Sequence, residues 1–403
     1  MDGRSRMRQD GHKPGDSPPE YDEIMFLRGS GDVRHAPASI PWWNPRYWRK
    51  RVWAGVAIVI VIVIVIAAAV GVSQAKKNAY PDYSPLSYSL ADTYGGESFF
   101  DQFNYFTGYD KTHGFVHYVP RAEAQQRVRA LKHGRGSPAS YTKPSAQNLT
   151  YAAPSTAVVK VDTTVGPGSN PDALTGRFSV RLESKKTYNK GLFIFDVKHT
   201  PYACGAWPAL WLTDPSHWPD NGEIDVMESI NEGKDGNQMT LHSTGGCSMG
   251  VRRKQTGAPH DDDCNHDANN NAGCGVVGGS SSFGTALNSD GGSIMAVEWR
   301  DAGIRMWQFA RNAVPGDVTS KQPNPAGWGT AAADFPSTNC HIGSHFRNNS
   351  IVVNIDLCGD LVYGSWDKSG CGPKNCTDLV ANQPDLYKTA FWEFGSFEVY
   401  QSS

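Results

Sequence analysis

The stretch Phe178-Ser-Val-Arg-Leu-Glu183 alternates apolar and polar side chains residue by residue. Phe178, Val180 and Leu182 point one way and Ser179, Arg181 and Glu183 the other, the period-two pattern of a strand with one buried face. The same period returns downstream. Ile294-Met-Ala-Val-Glu-Trp299 and Ile304-Arg-Met-Trp-Gln-Phe309 flank Asp301-Ala302-Gly303 and predict a hairpin. Ile351-Val-Val-Asn-Ile-Asp-Leu357 and Phe394-Gly-Ser-Phe-Glu-Val-Tyr400 predict two further strands. Only Arg121 to Lys132 reads as a helix, and the Gly/Asn-rich region from 243 to 293 reads as irregular loops framing a site. With 42 Gly, 25 Pro and a charged fraction of only 19%, the composition favours turns and short strands over long helices. It excludes a coiled coil, a collagen-like chain and a wholly disordered one. The expectation is an all-β fold, a sandwich of two antiparallel sheets over residues 96–403.

Outward from that domain, the N-terminal side is different chemistry. Residues 52–75 carry no charge, and the centre is an unbroken run of Ala, Val and Ile. About 20 apolar residues cross a bilayer as a helix, and lipid forces the backbone bonds to close within one segment. The run is too long and too far from the N-terminus for a cleaved signal peptide. Arg46, Arg49, Lys50 and Arg51 precede it, with Trp42, Trp43, Tyr47, Trp48 and Trp53 as an interfacial belt, and only Lys76 and Lys77 follow. Positive-inside bias puts residues 1–51 in the cytosol, giving a single-pass type II membrane protein whose large part is extracytoplasmic. All eight cysteines and the three glycosylation acceptors, Asn148, Asn348 and Asn375, fall on that outer side. An even cysteine count there predicts disulfides, with the pairing left open.

Residues 1–51 lack hydrophobic periodicity and read as a disordered tail. Pro18-Pro19-Glu20-Tyr21 is the kind of short Pro-rich ligand that WW domains grip. It overlaps Tyr21-Asp-Glu-Ile24, a tyrosine-type sorting pattern. Residues 76–95, rich in Ser, Tyr and Pro, read as a stalk. The whole chain is nearly neutral at -2, but the tail to Arg51 holds ten Lys/Arg against seven Asp/Glu, so the outer part is mildly acidic. That balance excludes nucleic acid as a partner.

The chemistry sits in Trp218-Pro-Asp-Asn-Gly-Glu-Ile-Asp-Val-Met-Glu-Ser229. Glu223 and Asp225, two apart, project from one strand face, whereas Glu228 faces the other unless one extra residue is bulged between them. With a bulge, three carboxyls converge. Glycoside cleavage needs that inventory: a nucleophile, an acid/base, and a third carboxyl that helps hold a proton nearby. The apolar partners Ile224, Val226 and Met227 mark a mostly buried strand, where outward charges without a purpose are costly. Nearby tryptophans offer flat platforms for sugar rings.

Ala203 to Trp211, Gly222 to Asn231, Phe99-Phe100-Asp101-Gln-Phe103, Thr112 to Tyr118, Met239-Thr-Leu-His242, Asn339 to Phe346 and Asn354 to Gly359 together resemble glycoside hydrolase family 16. The likeness is to fungal laminarinase-like endo-1,3(4)-β-glucanases and covers residues 95–400. It implies a β-jelly-roll with a concave cleft and a retaining mechanism. By matching position, Glu223 is the nucleophile, Glu228 the acid/base and Asp225 the assisting carboxyl. The same match implies that Trp207 and Trp218 line the glycone side and that His242 bonds near the carboxylates; Trp211 reads as a core residue. The resemblance implies a cofactor-free enzyme. Some family members carry a structural calcium ion, and no ligand set for one is read here. The basic segment Arg121–Arg135 and the membrane segment depart from the family pattern.

The expected function is therefore hydrolysis of β-1,3 or mixed β-1,3/1,4 glucan by a membrane-anchored enzyme. A transglycosylase or glucan-assembly factor uses the same motif, and a catalytically idle glucan binder is disfavoured by the presence of both glutamates. Gly273-Cys-Gly-Val-Val-Gly278 matches a dinucleotide fingerprint but lacks a preceding strand and a following helix. His260-Asp-Asp-Asp-Cys264, with His266 and Asp267, reads as a solvated turn whose cysteine enters a disulfide, leaving no metal site.

Overall fold

A computed structural model describes residues 43, 45–47, 49–125, 148–164, 176–372 and 374–402. Pro18, Pro19 and Tyr21, and the predicted helix beyond residue 125, lie outside the described residues.

Helix α1 runs Lys50–Asn78, somewhat longer than the predicted 52–75. Its Lys50–Ala75 stretch is about 39 Å at 1.5 Å per residue, enough for a hydrocarbon core of about 30 Å. Its apolar residues face outward all round, from Val52 to Val72, as no soluble core helix does.

In the outer domain the strands are, in chain order, β1 (Tyr88–Gly95), β2 (Phe103–Tyr105), β3 (Val116–Tyr118), β4 (Thr150–Ala153), β5 (Thr156–Lys160), β6 (Arg177–Ser179), β7 (Arg181–Tyr188), β8 (Gly191–His199) and β9 (Ala206–Thr213). There follow β10 (Glu223–Glu228), β11 (Gln238–His242), β12 (Ala258–His260), β13 (Cys274–Val277), β14 (Ser293–Arg300), β15 (Gly303–Ala310), β16 (Ala333–Pro336), β17 (Asn349–Leu357) and β18 (Phe391–Ser402). They make two large antiparallel sheets. One has the order β16-β15-β14-β8-β18-β5-β4, with β1 also paired to β18; the other has the order β12-β13-β11-β10-β9-β17-β7-β2. The short parallel pair β3–β6 stands beside them.

Alternation explains which face is which. Ile351, Val353, Ile355 and Leu357 of β17 enter the core with Leu210 and Leu212 of β9, and meet Phe193, Phe195 and Phe397 from the other sheet. The predicted hairpin is β14–β15, in register through Arg300↔Gly303. Phe178, Val180 and Leu182 are buried as expected, but Ser179 is buried too, because its hydroxyl donates to the Ile355 carbonyl at 2.6 Å.

Three expectations change. The supposed stalk is mostly part of the domain: β1 lies along β18, and Tyr80 and Tyr83 donate to Asp334 at 3.1 and 3.4 Å. Its Ser/Tyr/Pro composition concealed a buried anchor, Tyr94, only 1% exposed. The predicted helix from Arg121 is described only as Arg121–Ala124. The region 243–293 is not wholly irregular, for it holds β12, β13 and the short helix Gly284–Ser289. All eight cysteines pair, as 204–371, 247–340, 264–274 and 358–376.

Candidate active site

Strand β10 carries the carboxylate motif between β9 and β11, on the sheet face turned away from the core. Against β9, Asp225 pairs with Trp211 and Met227 already with Leu210; against β11, Asp225 pairs with Thr240 and Glu228 with Gln238. One extra residue has entered between Asp225 and Glu228, the bulge the motif required. Met227 goes into the core, and Glu228 returns to the face of Glu223 and Asp225. There its Oε1 accepts the Trp207 indole N–H at 2.7 Å.

Each carboxyl has its own holder. Trp218, 39% exposed, donates its indole N–H to Glu223 Oε2 at 2.6 Å. Asp225 is almost wholly buried, and its Oδ2 faces His242 Nε2 at 3.4 Å. That contact is not aligned as a hydrogen bond, and Oδ2 has no other hydrogen-bond partner among the described residues. His242 sits opposite Glu223 on β11, with its Nδ1 3.0 Å from Asn271 Oδ1. Burial together with the charge of Glu223 pushes Asp225 well above the ordinary carboxyl range. Burial also raises Glu228, against the opposing effects of the Trp207 bond and the His242 charge. For His242 burial works in the other direction, but the Asp225 contact and the carboxylates outweigh it and lift the imidazole to about 10. The cluster therefore retains protons that isolated groups would release, with Glu228 poised as an acid beside a carboxylate.

Trp207, Trp218 and His242 thus lie at the motif. Trp211 does not belong to the core: it is half-buried beside Asp225, donates to Asn354 Oδ1 at 2.8 Å and lies under the Arg181 guanidinium. The signal was present, since Trp207, Ala209, Trp211 and Thr213 share one strand face. Two further residues were missed. Asn271 orients His242, and His266 meets the Trp218 ring edge-on with centroids 5.4 Å apart. His266 comes from the turn read as solvated and Asn271 from the Gly/Asn-rich region 243–293 read as loops framing a site, but no short-range pattern says which of its residues return to β10. Cys264 does enter a disulfide, with Cys274. Glu223, Asp225 and His242 lie close enough together to offer a cation three ligand atoms, but these groups are already engaged with one another and with Trp218.

A family model described as "XgeA-like, catalytic GH16 domain" matches residues 103–400. A probable glycosidase of Schizosaccharomyces pombe is 38% identical over 332 residues, 81% of this chain and 72% of that protein. Endo-1,3(4)-beta-glucanase xgeA of Emericella nidulans is 32% identical over 327 residues, 79% of this chain; the chain spans only 48% of that relative. Among solved structures, laminarinase 16A of Phanerochaete chrysosporium, holding 6-O-glucosyl-laminaritriose in donor and acceptor sites, is 38% identical with a TM-score of 0.69 over 78% of this chain and all of that one. An elongating family 16 β-1,3-glucosyltransferase is 34% identical with a TM-score of 0.68 over the same shares.

Proposed function

Because the chain belongs to glycoside hydrolase family 16, we propose that it is a membrane-anchored retaining endo-β-glucanase acting on β-1,3 or mixed β-1,3/1,4 glucans. The observation that carries this reading is the bulge, which turns Glu228 onto the face of Glu223 and Asp225 and into the grip of Trp207.

In the proposed reaction a Glu223 oxygen bonds to the anomeric carbon while Glu228 gives its proton to the glycosidic oxygen. The C–O bond breaks, a shortened glucan leaves with a new hydroxyl, and a glycosyl ester remains on Glu223. Glu228, now a carboxylate, takes a proton from water, whose oxygen displaces Glu223 and regenerates both groups. Asp225, favoured in its acid form, offers Glu223 a hydrogen bond where a second negative charge would repel it. Trp207 and Trp218 stack on sugar rings while their N–H groups hold the two glutamates.

The experiment is Glu223→Gln in the full chain, in detergent, with laminarin and lichenan. Hydrolysis is expected to fall by at least about 10³-fold with the thermal unfolding profile unchanged. Undiminished turnover would remove Glu223 from the role.

Similarity to the elongating glucosyltransferase favours a second reading, in which a sugar hydroxyl replaces water in the second step. Longer labelled chains from a labelled acceptor oligosaccharide mark transfer, and only short ones mark hydrolysis. In either reading α1 is the anchor, with the domain extracytoplasmic in the type II sense and available for glycans at Asn148, Asn348 and Asn375. The tail motif at Pro18, Pro19 and Tyr21 is offered to a WW-domain protein in the cytosol.

A further inference from the structure

The bulge that aims Glu228 leaves a gap in the β10–β11 ladder. Two residues, Val226 and Met227, face one residue, Met239, so the register to β11 is interrupted beside the Val226 carbonyl and the Glu228 N–H. Both are satisfied by one side chain. Asn237 Oδ1 accepts from Glu228 N at 3.0 Å, and its Nδ2 donates to the Val226 carbonyl at 3.0 Å.

Asn237 is itself fixed on every polar atom. Its backbone N–H donates to Ser282 Oγ at 2.7 Å, and its carbonyl accepts from Gly278 N at 2.8 Å. It is fully buried, and glycines close around the anchoring serine: a Cβ on Gly278 would lie 2.6 Å from Ser282 Oγ, and one on Gly236 2.9 Å from it. The side chain therefore has one position, and the Glu228 backbone takes its place from it.

We propose that Asn237 is a positioning residue for the acid/base: it clamps the bulge so that the Glu228 carboxyl is held over the scissile oxygen. This rests on the glucanase reading above. Asn237 touches no reacting atom, so its effect is confined to steps that need the Glu228 proton. The distinction is measurable. A natural glucan leaves as a poor alkoxide unless protonated, whereas dinitrophenolate leaves without an acid, and kcat/KM reports only the bond-breaking step.

The full chain in detergent is compared with Asn237→Asp and Asn237→Ala on laminarin and on dinitrophenyl β-laminaribioside. As a carboxylate, aspartate keeps an acceptor for Glu228 N but loses the donor to Val226, in the same shape, so assays above its pKa test the clamp even if the alanine variant fails to fold. For Asn237→Asp, kcat/KM on laminarin is expected to fall by ~10²-fold and on the aryl glycoside by less than about threefold, with laminari-oligosaccharide Kd unchanged. Equal losses on both substrates, or no loss on laminarin, overturn the positioning role. A wild type that turns over neither substrate overturns the glucanase reading itself.

Discussion

Glu228 can donate a proton only while it holds one, so the alkaline limb of the pH profile reads its pKa. Burial raises that value above the ordinary 4.5, while the Trp207 bond and the positive His242 lower it and the Glu223 charge raises it. The sign of a substitution follows. His242→Gln removes a cation that favours ionised Glu228, so its acid form survives to higher pH and the limb moves in that direction. His242, lifted to about 10, is expected to add no inflection of its own near the ordinary histidine value of 6.5 in the wild type. A pH profile of kcat/KM for the two proteins checks both statements, and a limb displaced to lower pH in the variant contradicts the first. Asn271 should act in the same direction at smaller amplitude, since it touches only the far nitrogen of that imidazole.

At the scale of elements, the loop bearing Asn271 and His266 returns to β10 because Cys264 and Cys274 close it. With ten residues of separation, the chain-entropy value of that closure is about 2.7 kcal/mol, the larger share of which is lost in Cys264→Ser/Cys274→Ser. Denaturant unfolding should show that loss, and the freed loop should raise KM through Trp218, whose ring His266 meets. The loop also marks how far the sequence could be read. Period-two alternation identified β14, β15, β17 and β18 because side chains of alternate residues share one strand face, and the E-x-D-x-x-E spacing could be made useful only by a bulge. Asn237 and Asn271 left no such trace, since their roles depend on backbone groups and loops that meet them only after folding. Trp211 was legible and misassigned: it was read as core, but its register with Asp225 puts it on the site face.

At the scale of the molecule, β18 is a twelve-residue strand that needs partners along both sides. β8 covers one side; on the other, β5 pairs with its first residues and β1 with Ser396 to Ser402. The chain immediately after α1 is therefore structural. Ala79 accepts from Thr338, Tyr83 lies under the Arg305 guanidinium at 4.1 Å, and Tyr88 donates to Glu298 at 3.0 Å. Tyr94 packs on Phe103 and Phe397 and exchanges a hydrogen bond with Tyr188 at 2.7 Å. A soluble fragment beginning at residue 96, where composition alone puts the domain boundary, lacks all of this. It loses a buried tyrosine, which by comparison with large aromatic truncations costs ~3 kcal/mol or more, and it bares the backbone edge of β18 to other chains. A fragment beginning at residue 79 keeps both. The expected outcome is a cooperative transition at clearly higher temperature for the longer fragment, and concentration-dependent association for the shorter one in sedimentation velocity. Equal midpoints and equal monodispersity would return residues 79–95 to the status of a stalk.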